Sequence, residues 1–270
     1  MENEKKRLDV LLVEKAIFTS RERARENVEK GNILVDGKKV DKCSKKIDIN
    51  SKIEFIGEKL PYVSRGGLKL EKAIDLFNIN LKQKVCLDIG ASTGGFTDCM
   101  LQNGAKLVYA IDVGTNQLHD SLRSNPKVIS MEKTNVKDVK LQDLEEYGSF
   151  ASIDVSFISL TKVLPTVVNL LDSCGEVMAL IKPQFEAGKG NVNKQGVVKN
   201  IKIHKNILNT LIGFFKEHNL NIKGFTFSPI KGPNGNIEYL VYLSKDNNEE
   251  DIFDKFIIED VIDEAFRSLN

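Results

Sequence analysis

Short apolar runs alternate with helical patterns over most of the chain beyond residue 60. Runs typical of strands cover residues 85–89, 107–111, 128–130, 150–154, 176–181, 225–227 and 238–243. Helical periodicity covers residues 96–103, 160–171 and 201–215. This alternation predicts an α/β fold with a doubly wound, mostly parallel sheet, and leaves room for one reversed strand at an edge.

The first sixty residues predict a small separate α+β domain. Leu8, Leu11 and Leu12 share one face of a helix over residues 7–15. A capping box between Thr19 and Glu22 begins a second helix, which ends before Gly31. Strands then follow at residues 33–35, 38–40 and 53–56, with an Asp36-Gly37 turn between the first two.

These patterns divide the chain into residues 1–60 and residues 61–270. The larger part opens with a linker and a first helix over residues 61–80. It closes with an acidic helix over residues 251–270, in which Phe253, Ile257 and Val261 recur at helical spacing.

Composition excludes several classes of protein. Hydrophobic residues make up 41% of the chain and charged residues 29%, which is typical of a globular protein. No apolar run approaches the roughly 18–20 residues of a membrane helix, and the first residues lack the apolar core of a secretory signal. We therefore expect a cytoplasmic protein without stable membrane association.

The four cysteines form no C-x-x-C pair, and the chain contains only three histidines. We expect four reduced thiols and no metal site.

Basic residues in the first sixty suggest a nucleic-acid surface. Residues 1–60 contain 15 Lys and Arg against 12 Asp and Glu. Arg21 and Arg25 share a helix face, and Arg23, Lys38 and Lys39 extend the charge. Acidic residues interleave with the arginines, so charge alone leaves a solvated surface equally open. The arrangement from Arg7 to the Val-Asp-Gly turn resembles the S4-like RNA-binding domain, and this resemblance favours RNA binding.

A glycine-rich loop follows the strand over residues 85–89. Its pattern, Asp88-x-Gly90-x-x-x-Gly94-Gly95, is neither G-x-G-x-x-G nor a P-loop. Asp112 ends the next strand and is placed to accept hydrogen bonds from the ribose of an adenosine ligand. A plain tight turn is the alternative.

The same loop, with Phe96, resembles motif I of S-adenosylmethionine-dependent methyltransferases of the FtsJ/RrmJ type. The resemblance implies that Gly94 and Phe96 line the cofactor, that Asp112 holds its ribose, and that Asn135 lies near its adenine. The chain departs from the usual motif at Thr93, where Pro is common.

Charged residues at strand ends supply the second chemical signal. Asp154 and Lys182 end neighbouring strands, Lys69 precedes the first strand and Glu238 opens the last. Alone, each is a common surface residue. Their order resembles the catalytic tetrad of FtsJ/RrmJ-type RNA 2′-O-methyltransferases. We assign Lys182 as general base or alkoxide stabiliser and Asp154 as its orienting partner, while Lys69 and Glu238 place the ribose and balance charge.

The whole of residues 7–245 resembles TlyA-type proteins, which join an S4-like domain to an FtsJ/RrmJ-like methyltransferase. Stretches such as Asp154-Val-Ser-Phe-Ile-Ser-Leu and Lys182-Pro-Gln-Phe-Glu-Ala-Gly carry this resemblance. It implies S-adenosylmethionine as cofactor, ribosomal RNA or ribosomal subunits as partner, and cytidine 2′-O-methylation in 16S or 23S rRNA, or both. No metal is required.

Three alternatives remain open. The family also carries a haemolysin name, which suggests a membrane-active protein. A catalytically silent ribosome-binding module and a small-molecule O-methyltransferase are the others. The polar, glycine-rich segment 188–196 is either a mobile loop near the substrate or a plain surface loop.

Overall fold

The computed structural model describes residues 4–15, 17–18, 21–57, 60–188, 190–246 and 255–269. The chain separates into two compact units, Met1–Leu60 and Pro61–Asn270. No helix in the described ranges is both long and apolar enough to cross a membrane. The four cysteines are free thiols, and Cys86 and Cys99 are buried.

The first unit joins two helices to two small sheets. Its elements are β1 (Lys5–Arg7), α1 (Leu8–Glu14), α2 (Arg21–Glu29), β2 (Ile33–Val35), β3 (Lys38–Lys39), β4 (Lys46–Asp48) and β5 (Ile53–Phe55). Leu8, Leu11 and Leu12 are buried as expected. Asp36 and Gly37 both have positive φ, which fits the β2–β3 turn.

The antiparallel pair of β1 and β4 was not predicted from the sequence. These strands are short and mostly charged, so they lack the alternation that indicates a half-buried strand. The predicted capping box at Thr19 lies outside the described residues.

The second unit carries a seven-stranded sheet. Its elements are α3 (Gly67–Phe77), β6 (Val85–Ile89), α4 (Gly95–Gln102), β7 (Leu107–Ile111), α5 (Asp120–Arg123), β8 (Val128–Met131), β9 (Gly148–Ile153), α6 (Leu164–Asn169), β10 (Leu171–Ile181), α7 (Pro183–Glu186), α8 (Ile201–Glu217), β11 (Asn221–Phe227), β12 (Tyr239–Ser244) and α9 (Lys255–Leu269). The strand order is β11-β12-β10-β9-β6-β7-β8. The α/β, Rossmann-like fold class is confirmed.

The reversed strand does not lie at an edge. β12 runs antiparallel to both β10 and β11 and is second from the edge. The two last strands are of similar length, and their order along the chain does not reveal which one inserts beside β10.

The predicted helix over residues 160–171 is wrong at both ends. Ser159 caps a short 3-10 turn, and α6 follows with Pro165 in its first turn, where a missing N–H costs little. Leu171 already pairs with Gly148, so β10 begins five residues earlier than the prediction, with an irregular register before Glu176.

Alternate residues of the strands point to opposite faces of the sheet and pack into two separate apolar cores. Val85, Leu87 and Ile89 join the core that contains residues of α6, α8 and α9. Cys86 joins the core that contains residues of α3 and α4. The acidic last helix buries Ile258 and Ile262 in the first of these cores, whereas Phe253 lies outside the described residues.

Candidate active site

Four charged side chains meet at one edge of the sheet. Asp154 and Lys182 directly follow β9 and β10, which are neighbouring parallel strands. Glu238 precedes β12, and because β12 is antiparallel its first residue lies at the edge where β10 ends. Lys69, in the first turns of α3, completes the group. The topology therefore brings together residues that are far apart in sequence.

These side chains alternate in charge along a row. Lys69 Nζ lies 2.8 Å from Glu238 Oε2 and 3.8 Å from Asp154 Oδ2. Lys182 Nζ lies 2.5 Å from Asp154 Oδ1. The order Glu238, Lys69, Asp154, Lys182 pairs each amine with a carboxylate and leaves Lys182 at one end.

Burial and charge act against each other in this row. Burial alone would lower the pKa of Lys69, but Asp154 and Glu238 outweigh it and raise that pKa. Burial would likewise raise the pKa of Asp154, yet the charges of Lys69 and Lys182 hold it below its ordinary value. Lys69 is thus a fixed cation, and Asp154 is a fixed anion between two amines.

The Glu238 carboxylate is fully buried, and its second oxygen, Oε1, has no hydrogen-bond partner among the described residues. Gly232 packs directly against it, because a Cβ at that position would collide with Oε1. The segment 188–196 is hydrogen-bonded to the residues that lie between Gly232 and Glu238. The side-chain amides of Asn234 and Asn236 donate to the carbonyls of Gln195 and Gly196 at 3.0 and 2.9 Å. Lys189, within that segment, is outside the described residues.

Ser156 and Phe157 belong to this edge, although the sequence reasoning did not select them. Lys182 Nζ donates to Ser156 Oγ at 3.1 Å. Phe157 is 91% exposed and has a φ of +64°, in the left-handed region that a bulky residue rarely adopts. Its ring centroid lies 5.0 Å from that of Phe185. A lone aromatic residue in the short segment after a strand was the available signal.

The glycine loop lies beside these residues, at the end of β6. Gly90 has a φ of +85°, and a Cβ there would lie 2.5 Å from the Asp154 carbonyl oxygen. Gly94 has a φ of +93°, and a Cβ there would collide with Leu122. Both positions therefore require glycine, and the loop approaches Asp154 closely. Gly95 is the first residue of α4, and a Cβ at this position would collide with Ser64 Oγ.

Asp88 and Phe96 flank the glycine loop in the sequence, and both side chains are buried. Asp88 is buried and accepts hydrogen bonds from the Thr97 amide at 2.8 Å, the Thr97 hydroxyl at 2.6 Å and the Ser152 hydroxyl at 3.1 Å. Burial raises its pKa to about 6. Phe96 is 4% exposed and packs in the core with α3 and α4.

Asp112 and Asn135 follow the next two strands. Asp112 accepts from the amides of Ser92 and Gly114 at 2.8 and 2.6 Å, which ties the glycine loop to the end of β7. A carboxylate has about four acceptor positions, so it can also receive ribose hydroxyls. Asn135 is exposed and accepts from the Lys137 amide at 3.1 Å.

The loop and Asp112 fit the adenosine part of S-adenosylmethionine. Positive φ at Gly90, Ser92 and Gly94 turns the backbone back on itself without side-chain bulk at the two glycines. This bend stands at the carboxyl end of a parallel strand, where such sheets bind their ligands, and Asp112 borders it.

The basic residues chosen in the first unit differ in their surroundings. Arg21 donates to buried Asp9 at 2.6 Å, and Arg7 and Arg21 hold the pKa of that carboxyl far below its usual range. Arg25 lies 3.9 Å from Glu29, and Arg23 is half-buried. Lys38 and Lys39 are exposed on β3. Among the described residues, neither lysine has a carboxylate partner at ion-pair distance.

Known proteins resemble the chain over nearly its whole length. The family model described as FtsJ-like methyltransferase matches residues 62–245, and that of the tyrosine–tRNA ligase SYY-like C-terminal domain matches residues 1–58. YqxC of Bacillus subtilis, described as a candidate rRNA methyltransferase, is 47% identical over 90% of this chain and 87% of its own length.

Two further relatives agree with these matches. The 16S/23S rRNA (cytidine-2′-O)-methyltransferase TlyA of Mycobacterium tuberculosis is 35% identical over 88% of this chain and 89% of its own. A solved structure of a candidate hemolysin from Streptococcus thermophilus has a TM-score of 0.79 and 46% identity, and the match covers 97% of this chain and 96% of that one.

Proposed function

The chain belongs to the TlyA/hemolysin A family of S-adenosylmethionine-dependent, FtsJ-like rRNA 2′-O-methyltransferases, and we propose that its own target is the ribose 2′-hydroxyl of cytidine in 16S or 23S rRNA, or both. The resemblance seen in the motifs is thereby confirmed at the level of the family. Cytidine is proposed because it is the nucleoside named for the Mycobacterium tuberculosis relative. Work on ribosomal RNA would take place in the cytoplasm.

The observation that carries this proposal is the row of Glu238, Lys69, Asp154 and Lys182 next to the glycine loop. When bound, S-adenosylmethionine supplies an electrophilic methyl group. A ribose 2′-hydroxyl is a very weak acid, so the chain has to activate the oxygen. The amine of Lys182, 2.5 Å from Asp154, stands at one end of the row.

Each charged residue has a distinct role in the proposed reaction. The ribose oxygen forms a bond to the methyl carbon while the bond from that carbon to sulfur breaks. Lys182 accepts the hydroxyl proton, or balances the negative charge that develops on the oxygen. Asp154 orients the Lys182 amine. Lys69 stays protonated between its two carboxylates and, with Glu238, fixes the ribose.

The aromatic pair supports an RNA substrate. Single-stranded bases stack on aromatic rings, and an enzyme that modifies a nucleotide has to extract it from its helix. Phe157 presents an exposed ring beside the reacting groups. We assign it to stacking against the target base or its neighbour. The exposed Lys38 and Lys39 of the first unit, with Arg21, Arg23 and Arg25, would add phosphate contacts that do not depend on sequence.

Substitution of Lys182 tests the reaction directly. Purified chain, labelled S-adenosylmethionine and 30S or 50S subunits are combined, and methyl incorporation into rRNA is measured. Loss of a general acid or base lowers a rate by about 10²–10⁴, so Lys182→Ala should lose activity on this scale. The matched control is Lys106→Ala, an exposed lysine that pairs with Glu146 just before β7, at the opposite edge of the sheet.

Other outcomes separate the competing functions. A silent ribosome-binding module would bind subunits with no incorporation by either protein. A membrane-active protein would release the contents of liposomes and leave rRNA unlabelled.

A further inference from the structure

Two segments that leave neighbouring strands carry the side chains around Lys182. Residues 155–159 follow Asp154 and include Ser156 and Phe157, whereas α7 follows Lys182 and includes Phe185. They meet in the Lys182–Ser156 hydrogen bond of 3.1 Å and in the Phe157–Phe185 ring contact. The shape of the RNA-facing side of the site therefore depends on how these segments are held together.

Glu186, the last residue of α7, joins the two segments at their base. Its Oε2 accepts a hydrogen bond from the Ser159 hydroxyl at 2.6 Å, and its Oε1 accepts from the Leu160 amide at 2.7 Å. Ser159 in turn caps the 3-10 turn that follows it. The 155–159 segment is thus connected at its start to the end of β9 through Asp154. At its end it is held to α7 by the hydrogen bonds of Glu186.

The placement of a carboxylate here carries a cost. Burial raises the pKa of Glu186, and no Lys or Arg in the described part of the chain lies within ion-pair distance of it. A desolvated acid without a cation is retained only where its hydrogen bonds are made. Both oxygens of Glu186 accept short hydrogen bonds from Ser159 and Leu160, at the end of the segment that presents Phe157. The carboxylate therefore holds that segment in position.

We propose that Glu186 is a positioning residue for RNA engagement, which acts through Ser159 and Leu160 to set the segment that presents Ser156 and Phe157 to the target nucleotide. This inference rests on the rRNA substrate proposed above. The hydrogen bonds of Glu186 do not involve the glycine loop. Its loss should therefore affect RNA and leave the cofactor untouched.

The test compares Glu186→Ala with Glu186→Gln in the full chain. Equilibrium binding of ribosomal subunits is measured by filter retention, and binding of S-adenosylmethionine by calorimetry. A stacked base is worth about 1–3 kcal/mol, so Glu186→Ala should weaken subunit binding about fivefold or more. Its affinity for S-adenosylmethionine should stay within about twofold, since the hydrogen bonds of Glu186 do not reach the glycine loop. Glu186→Gln should retain subunit binding, because its amide oxygen can accept from Leu160 and its amide nitrogen can donate to Ser159.

A double-mutant cycle with Phe157→Ala separates positioning from general stability. If Glu186 acts through the segment that carries Phe157, the double variant should bind subunits no more weakly than Phe157→Ala alone. Wild-type binding by Glu186→Ala, or multiplied losses in the double variant, would overturn the proposal, as would equal losses of RNA and cofactor affinity.

Failure of the proposed function gives a different result. A wild-type chain that binds subunits but transfers no methyl contradicts the reaction, yet the Glu186 comparison is still decided by binding. A wild-type chain that binds no subunits overturns both.

Discussion

Lys69, Asp154 and Glu238 show at the residue scale that the site does not serve stability alone. A buried ion pair often contributes little net stability, because desolvation offsets the attraction between the charges. Glu238 Oε1 also has no partner among the described residues, and an unsatisfied buried acceptor costs about 1–3 kcal/mol. A substrate hydroxyl that donates to this edge would recover part of that cost. The arrangement fits a site prepared for a polar ligand.

Phe157 provides a test at a single side chain. Its ring is almost wholly exposed, so Phe157→Ala should leave the melting temperature nearly unchanged. It should raise the KM for ribosomal subunits by about 5–100-fold if the ring stacks on a base. The control is Tyr147→Ala, which removes another exposed ring, next to the first residue of β9 and therefore at the opposite edge. Equal KM values for the two variants would contradict the stacking role.

The raised pKa of Asp88 should make the free energy of unfolding depend on pH. Burial raises its pKa to about 6, so the folded chain holds this proton more tightly than the unfolded chain. The stability that the group contributes is complete below about pH 4 and is lost as pH rises through 6. Asp88→Asn cannot ionise and keeps partners for Thr97 and Ser152.

Urea unfolding at pH 4.5 and pH 7 measures this effect. Relative to wild type, Asp88→Asn should gain about 2 kcal/mol of unfolding free energy between pH 4.5 and pH 7, because about 1.5 pH units separate pH 4.5 from the raised pKa at 1.36 kcal/mol each. A difference that does not change with pH would show that Asp88 ionises normally.

At the scale of elements, the sequence predicted strands better than their arrangement. β6 and β7 are bounded as expected, because short apolar runs end at clear polar or glycine residues. The start of β10 was missed, since residues 160–175 mix helical and strand signals. The reversed strand was misplaced, since order within a sheet is decided by long-range packing.

The candidate site was predictable to a similar degree. The spacing of strand ends indicated that Asp154 and Lys182 would share an edge. Nothing local indicated that Asp88 would accept from Ser152, or that Ser159 and Glu186 would meet, because those contacts depend on how segments from different strands pack.

The glycine loop gives a prediction at this scale. Gly90→Ala combines a positive φ with a Cβ 2.5 Å from the Asp154 carbonyl, so it should destabilise the chain and displace Asp154. Gly188 also has a positive φ, but a Cβ there would meet no atom of the described residues within 4 Å. Gly188→Ala should therefore lower the free energy of unfolding only by the backbone strain that it introduces, about 1–2 kcal/mol.

Unfolding and activity measurements distinguish the two glycine variants. Gly90→Ala should lose clearly more free energy of unfolding than Gly188→Ala, and most of its methyl transfer. If both variants behaved alike, the close approach of the loop to Asp154 would not matter.

At the scale of the whole molecule, two units with different chemistry share one chain. The first carries exposed lysines on β3, and the second carries the glycine loop and the charged row. Contacts to phosphate give affinity for RNA that does not depend on the RNA sequence, whereas the reacting groups select the atom that is modified. Under the proposed function, this division of roles would account for a small basic domain joined to a methyltransferase fold.

Analysis of the modified nucleoside tests the central claim most directly. Ribosomal RNA treated with the chain and S-adenosylmethionine is digested to nucleosides and analysed by mass spectrometry. We predict 2′-O-methylcytidine with the wild-type chain and with Lys106→Ala, and its absence with Lys182→Ala. A methyl group on a base instead of the ribose, or undiminished 2′-O-methylcytidine from Lys182→Ala, would contradict the proposed chemistry.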